Sequence, residues 1–554
     1  MPNDLLNIAS TGLMAYQRSL ATVSHNISNV NTPGYSRQRT DLATAEARFI
    51  GPPGYVGNGV NVQSIRRSYD EFLTAQVRSS SSAHSELDTF YKMASQIDNT
   101  IADENSSIAP AMQAYFNSIH GVSNEPTSVP VRRVMLTSAE TLVNRFNVMS
   151  KNLEQLRDQT DKNLNSQIAE VNAMAGDLAN MNRRVTEALG RSGGDPPNDL
   201  LDQRDQMLLK LSEKLEVQII PQDDGAVNVF IGSGQALVMG TEAGRLEMKD
   251  SLYGGGPKDI ALYSKGTTNY TLVTDKLGGG EIGGYLGFRN RVLDPVQNDL
   301  GRMAAAFSTQ MNAQHAAGYD LNGNTGNALF NAPSVSTLNR VGSSGLTATY
   351  SDINQLSGAD YQVDVTAGNT TIKNLRTNAV TTYNAATFIH EGVSFDVSAV
   401  APAGGASFLV QPTRNVATDM KLVLTDPAAI AASDAATTTP ATPPGGPKFG
   451  NNKNALQLAN LQQSKNLMNG RATYQEAYNE IVGEVGTLTK SAEINVGAQK
   501  TLLEHAQQRR DSVAGVNLDE EAANLIQFQQ AYQAAAQTVA TANIVFEALL
   551  GAVR

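Results

Sequence analysis

The chain contains no cysteine and no tryptophan, and only 17% of its 554 residues are charged. Without thiols there are no disulfides, no thiolate metal sites and no cysteine nucleophile. No apolar run is long enough to span a bilayer. Leu5–Ala15 is interrupted by Asn7, Ser10, Thr11 and Gly12 and follows Asp4, so it lacks the form of a cleavable signal peptide. The six histidines, His25, His84, His120, His315, His390 and His505, are scattered. His390-Glu391 is not followed by a second histidine at zinc-protease spacing, because position 394 is Ser. A net charge of −11 speaks against nucleic acid as the main partner. A chain of this length is expected to hold several domains with ample core.

Two partial motifs fail on context. Gly278–Gly283 matches G-x-G-x-x-G, and Asp299 lies near the spacing of a ribose ligand. The upstream region reads as antiparallel strands, however, and Asp294-Pro295 is expected to interrupt the following helix, so a glycine hinge is the better reading. Asp320, Asn322 and Asn324 begin like a calcium loop, but Thr325 takes the glycine position and Asn331 the place of the closing carboxylate. There is no G-x-S-x-G nucleophile elbow. No catalytic residue, cofactor site or metal site is assigned, and no enzyme activity is expected.

The two ends of the chain are positively patterned. In NLDEEAANLIQFQQAYQAAAQTVATANIVFEALL, Leu518, Leu525, Tyr532, Val539 and Phe546 recur every seven residues. Phe528, Ala535, Ala542 and Leu549 form a second row on the same helix face, which makes a coiled-coil seam. Asn517 and Glu520 read as a cap with its reciprocal acidic partner. A helix of about 33 residues would be a rod of about 50 Å. From Ala522 to Phe546 it carries no charge, so its remaining faces suit protein neighbours better than water, yet it is too polar for a membrane.

The N-terminus mirrors this pattern. Leu6, Leu13, Leu20 and Ile27 form one row, and Ala9, Tyr16, Val23 and Val30 the other, with Arg18 the only formal charge between Leu5 and Ser36. The helix is expected to end near Val30, and the signature residues Asn31, Thr32, Pro33, Gly34 and Tyr35 carry a Pro-Gly turn of type II geometry. Tyr35–Thr40 reads as extended.

Between the ends, 85–215 is helical by its three-and-four spacing, with a break at Gly193–Pro197. Asp199–Leu215, DLLDQRDQMLLKLSEKL, reads as a solvated amphipathic helix. Residues 216–273 alternate as strands, 286–314 is helical, and 347–424 is again strand-rich. The Ala/Thr/Pro-rich stretch at 426–448 reads as a flexible linker. Helices resume at 454–463 and at 473–512. The fold class is therefore mixed and mainly α: a terminal helical coiled coil, a helical bundle with a small β part, and an inserted all-β outer domain.

HNISNVNTPGYSRQR at His25–Arg39 resembles the N-terminal signature of bacterial flagellar axial proteins, the rod, hook and hook-associated families. The closing helix is similar to their shared C-terminal helix, and NTPGYSRQ, the total length and Asp199–Leu215 resemble the hook-associated members. The resemblance implies a structural part joining hook to filament, required for flagellum assembly and motility. It implies an inner domain at 1–38 plus 515–554, a helical domain at 39–330 plus 450–514 with its β part at 216–273, and an outer β domain at 331–449. Its implied partners are the hook protein, a second hook-associated protein, copies of itself in a ring or helical lattice, and an export chaperone on the C-terminal helix, with no nucleic acid or membrane. It also implies an extracellular place on the flagellum, reached through type III export without signal cleavage. The implied assembly interface is Leu6, Leu13, Tyr16, Leu20, Val23, Ile27 and Val30 with Leu518, Leu525, Phe528, Tyr532, Val539, Phe546 and Leu549. The alternatives are another axial component (hook, distal rod or filament) and an adhesin-like binding module. Flagellin shares the heptads but lacks NTPGY. The hydrolase module of some rod proteins would need a helical appendage, whereas the appended part here is strand-rich.

Overall fold

Capping chemistry sets several helix ends. Asp70 accepts from the Leu73 N–H to start one helix, Thr473 and Glu476 form a complete capping box for another, and Gly193, left-handed at φ 70°, closes a third. The structure, a computed structural model, describes residues 2–49, 54–103, 107–366, 368–400, 405–435 and 450–553. In order they form α1 (Pro2–Ser28), β1 (Gln38–Thr44), β2 (Arg48–Phe49), β3 (Tyr55–Val56), β4 (Val60–Arg67), α2 (Glu71–Ala102), α3 (Ile108–Asn124), α4 (Val129–Ser192) and α5 (Asn198–Lys214). Seven strands follow between 217 and 272, then α6 (Gly280–Phe288) and α7 (Asp294–Ala316). Eight strands between 336 and 411 precede the short α8 (Val416–Asp419), and α9 (Lys453–Asn460), α10 (Tyr474–Ala514) and α11 (Leu518–Val553) end the chain. With 55% of the chain helical, the class is mixed and mainly α.

Two apolar cores hold the middle of the molecule. The first joins α2, α3, the first half of α4, α7, α9, α10 and the strands of 336–411. Its centre is aromatic: Phe307 packs against Tyr115, Phe116, Phe146, Phe330 and Tyr474, with centroids 5.4–6.5 Å apart. The second joins the rest of α4, α5, α6 and the strands of 217–272. At about 1.5 Å per residue, α4 is about 96 Å long and passes through both.

The strands of 336–411 form an antiparallel five-stranded sheet, ordered Ser336–Asn339, Ala406–Gln411, Tyr361–Thr366, Asn369–Asn374, Val380–Tyr383, and a three-stranded one. They share the first core with the helices. Val363, Phe408 and Val410 belong to the same buried cluster as Leu300 and Phe307 of α7. Charges seal the contact. Arg414 pairs with Asp360, beside the five-stranded sheet, and with Asp294 of α7, which also takes Arg157 of α4. Burial raises the Asp294 carboxyl, but Arg157 and Arg414 outweigh it and hold the group well below the usual carboxylate range.

The glycine hinge is a packing device. A Cβ on Gly280 would fall 2.3 Å from the Lys214 carbonyl carbon, and one on Gly284 2.5 Å from the Glu86 oxygen, so α6 approaches α5 and α2 closer than any side chain permits. Asp294-Pro295 does not interrupt the helix as expected. A π-helical turn at Arg289–Leu293 widens the backbone just before it, where the proline ring would otherwise meet the carbonyl of Arg291, and the helix runs on as α7. Asp320 caps its own loop, accepting from the N–H groups of Asn322 and Asn324 at 2.8 Å each. No group of three His, Asp or Glu among the described residues could hold a metal ion.

Candidate assembly interface

Among the described residues, neither α1 nor α11 contributes to either large core. They pack on each other along their lengths, antiparallel, with the C-terminal end of α1 at the N-terminal start of α11. Ala9, Ala15, Ser19 and Ala542 are buried, whereas of the larger seam residues described only Val23 is. Of the seam expected on α1, Val23 is buried, Leu13, Tyr16, Leu20, Ile27 and Val30 are half-buried, and Leu6 is exposed. On α11, Leu525, Phe528, Tyr532 and Val539 are half-buried and Leu518 and Phe546 exposed, while the side chain of Leu549 lies outside the described residues. Met14, Ile526, Ile544 and Val545 add further exposed apolar surface. The pair thus has a seam that two helices do not fill.

The signature turn lies where the pair meets the body. Gly34 has φ +81°, and the Tyr35 N–H donates to the Thr32 carbonyl at 3.2 Å, closing the Pro33-Gly34 turn. Asn31, Thr32 and Pro33 are exposed along a cleft of about 520 Å³ shared with Arg510, Asp511 and Glu520. Beneath them is a polar node around Asn26, which is 1% exposed. Its Oδ1 accepts from the Tyr35 hydroxyl at 2.7 Å and from the Gln38 N–H at 2.9 Å. Its Nδ2 donates to the Gln38 carbonyl at 2.9 Å and to Glu521 at 3.0 Å. A side-chain amide here completes what a neighbouring strand would supply. Burial, together with the charges of Asp199, Asp202 and Glu521, pushes the Tyr35 phenol far up, so it stays a donor.

Two expectations are corrected at this node. Asn517 caps α11, its Oδ1 accepting from the Asp519 N–H at 2.9 Å, but the Glu520 carboxylate turns to Arg37 Nη1 at 2.7 Å instead of closing a reciprocal box. Glu521 takes Arg37 Nε at 2.6 Å. The acidic face of α5 is only partly solvated: Asp199 stays exposed, but Asp202 and Asp205 are covered. Asp202, 6% exposed, accepts from the Ser36 N–H at 2.9 Å and from Arg67 Nη1 at 2.8 Å, while Asp205 meets the same Nη1 at 2.6 Å. Asp199 accepts from Gln38 Nε2 at 2.8 Å. Burial disfavours the Arg67 charge, but Asp205 and Asp202 outweigh it and hold the guanidinium more firmly protonated. Burial raises the Asp202 carboxyl against the pull of Arg67. The spacing of Asp199, Asp202 and Asp205 on one helix face was the available signal for a docking site.

Three regions of the chain match known protein families. Residues 94–330 match the family described as "Flagellar hook-associated protein FlgK helical domain". Residues 6–35 match "Flagella basal body rod protein", and 507–551 "Flagellar basal body rod FlgEFG protein C-terminal". The chain is 35% identical to flagellar hook-associated protein 1 of Salmonella typhimurium, over 99% of each chain. It is 32% identical to that of Escherichia coli, again over 99% of each. In fold it is similar to the flagellar hook junction protein FlgK of Burkholderia pseudomallei, with a TM-score of 0.72 at 23% identity over 79% of this chain and all of that one. The curated relatives are structural flagellar proteins, and no helix among the described residues is long and apolar enough to cross a membrane. The chain belongs to the flagellar hook-associated protein 1 family and is a hook-associated junction component of the bacterial flagellum.

Proposed function

We propose that the chain forms one ring or helical layer of a tubular lattice, between the hook protein below and a second hook-associated protein above. The terminal pair, 1–38 with 515–554, is the inner layer; 39–330 with 450–514 surrounds it; the strands of 331–449 lie outermost. The observation that carries this reading is the half-covered seam of α1 and α11 outside both cores. Fully burying one exposed Leu, Ile or Phe contributes about 1.5–3 kcal/mol, and Leu6, Leu518, Ile526, Ile544 and Phe546 are available at once. Adjacent copies supply that cover, and the charge-free faces let many helices crowd together without unpaired charge. Before assembly the same seam on α11 suits a helical export chaperone, and export proceeds without signal cleavage. The test is antibody labelling of intact flagella. One narrow band at the filament base is expected, and label along the filament or spread over the cell body overturns the placement.

A further inference from the structure

The strands of 217–272 and the outer strands of 336–411 belong to different cores, yet they touch. They meet at a hairpin loop, 250–258, between the antiparallel strands Arg245–Lys249 and Asp259–Tyr263. Tyr253, half-buried in this loop, pairs with Arg340 in an isolated antiparallel bridge, just past the outer strand Ser336–Asn339. Its phenol lies 2.8 Å from Ser407 Oγ on the neighbouring strand Ala406–Gln411. The Ser407 hydroxyl donates its one proton to Asp364, so the tyrosine is the donor to Ser407. A row of hydroxyls thus runs from loop to sheet and ends on a carboxylate. Burial raises the Tyr253 phenol, which keeps its proton in place. Among the described residues, this is the only side-chain hydrogen bond between 217–272 and 336–411.

The loop holds its own shape. Ser251 Oγ accepts from the Tyr253 N–H at 3.2 Å. The Tyr253 carbonyl accepts from the Gly256 N–H at 2.9 Å, closing a turn with Gly255 at φ +84°. Gly254 and Gly255 are exposed, and a Cβ on Gly254 would meet nothing within 4 Å. The loop's base is tied down, where the Lys258 carbonyl accepts from Arg289 Nη1 at 3.0 Å. No residue of 250–258 belongs to either core. The contact can therefore break without opening buried apolar surface.

We propose that 250–258 is a brace that clips and unclips. Clipped, the Tyr253 hydroxyl on Ser407 fixes the angle between the part of the molecule built on the second core and the part built on the first. Unclipped, both parts stay folded and joined through α4 and through the connection from α6 to α7. Their relative angle then relaxes by gentle flexing of the long α4. The brace acts within one chain and does not depend on the lattice reading.

The absence of cysteine makes the test direct. Met239→Cys and Ile389→Cys, at exposed positions on the two sets of strands, take spin labels on the full-length single chain. Pulsed electron paramagnetic resonance then reads the distance between the labels. With Tyr253 in place, one narrow distribution of distances is expected. Tyr253→Ala is expected to widen it about twofold, because the clipped state loses its advantage. Tyr253→Phe keeps the ring but not the hydroxyl and is expected to widen it as well. Amide hydrogen exchange of the unlabelled chain, read by mass spectrometry, separates unclipping from unfolding. In Tyr253→Ala, amides of 251–258 are expected to exchange about 10-fold faster, while those of Val227–Ile231 and Tyr361–Thr366 stay within about twofold. The brace is overturned if the distribution is already wide with Tyr253 in place, if it stays narrow in Tyr253→Ala or Tyr253→Phe, or if losing the side chain speeds exchange in either set of strands.

Discussion

The N–H of Ser36 donates to Asp202 across 166 positions of sequence, and this bond fixes where the terminal helices leave the body. Arg67 holds the other oxygen of the same carboxylate. The Asp202 carboxylate therefore clasps two segments at once.

Replacing Asp202 by Asn keeps one acceptor but removes the charge that Arg67 and Ser36 share. A charge-assisted hydrogen bond contributes about 1.5–3 kcal/mol, and Asp205 still serves Arg67, so a loss at the lower end of that range is expected. Urea denaturation of the full chain, compared with Asp202→Ala, checks it. Equal midpoints for all three chains would show that Asp202 holds nothing.

Tyr532→Asp places a carboxylate in the half-buried middle of the α11 seam, with no Lys or Arg between Ala522 and Phe546 to meet it. An unpaired charge closed off between copies costs several kcal/mol. Both cores exclude α11, so the body is expected to melt normally while filaments fail and filament protein appears in the medium. Tyr532→Phe keeps the ring and is expected to swim. Swimming Tyr532→Asp cells with full-length filaments would remove the seam from the assembly interface.

His315 gives the body an acid limit. Its Nδ1 lies 2.6 Å from the Asn327 carbonyl and its Nε2 accepts the Ala431 N–H at 2.8 Å, so the neutral ring donates from Nδ1. Burial lowers its pKa to about 4, aided by Arg132 and opposed by the Asn327 carbonyl and Asp320. With the folded value below the unfolded one, the unfolded chain binds more protons between the two. Stability is intact above about pH 6.5 and falls by about 3 kcal/mol as pH drops toward 4. Denaturant midpoints from pH 7 to 4 should show a slope that His315→Gln flattens.

Arg414→Met removes a guanidinium that serves Asp294 and Asp360 together. It leaves Asp360 with Asn298 and Gln411, and Asp294 with Arg157. Breaking a buried pair in this way costs about 3–5 kcal/mol. Thermal melts of the full chain are expected to shift down, and to recover in part when Asp360→Asn is added. A Met variant as stable as the natural chain would show that packing alone joins the sheets to α7.

What could be read from sequence was local. The rows through Leu13 and Leu525 follow from helical periodicity, and the bend at Pro33-Gly34 from two residues whose backbone preferences are intrinsic. What escaped depended on partners far along the chain. Asp202 and Asp205 look like part of a wet acidic face until Ser36 and Arg67 are brought against them. Glu520 was assigned to its nearest neighbour, Asn517, because nothing local advertises Arg37. The strands of 336–411 alternate as any sheet does, and alternation does not say that their inner face is completed by α7. Ala15 and Ser19 belong to neither seven-residue row, yet both are buried in α1.

The 64 residues of α4, with no proline beyond Pro130, tie the second core to the first. The terminal pair is anchored on α5, which belongs to the second core. A twisting load entering through the chain ends therefore reaches α5 first, and α4 is a shaft along which it passes to the first core and the outer strands. Softening that shaft between Leu153, the last α4 residue in the first core, and Leu164, the first in the second, would let one half turn without the other.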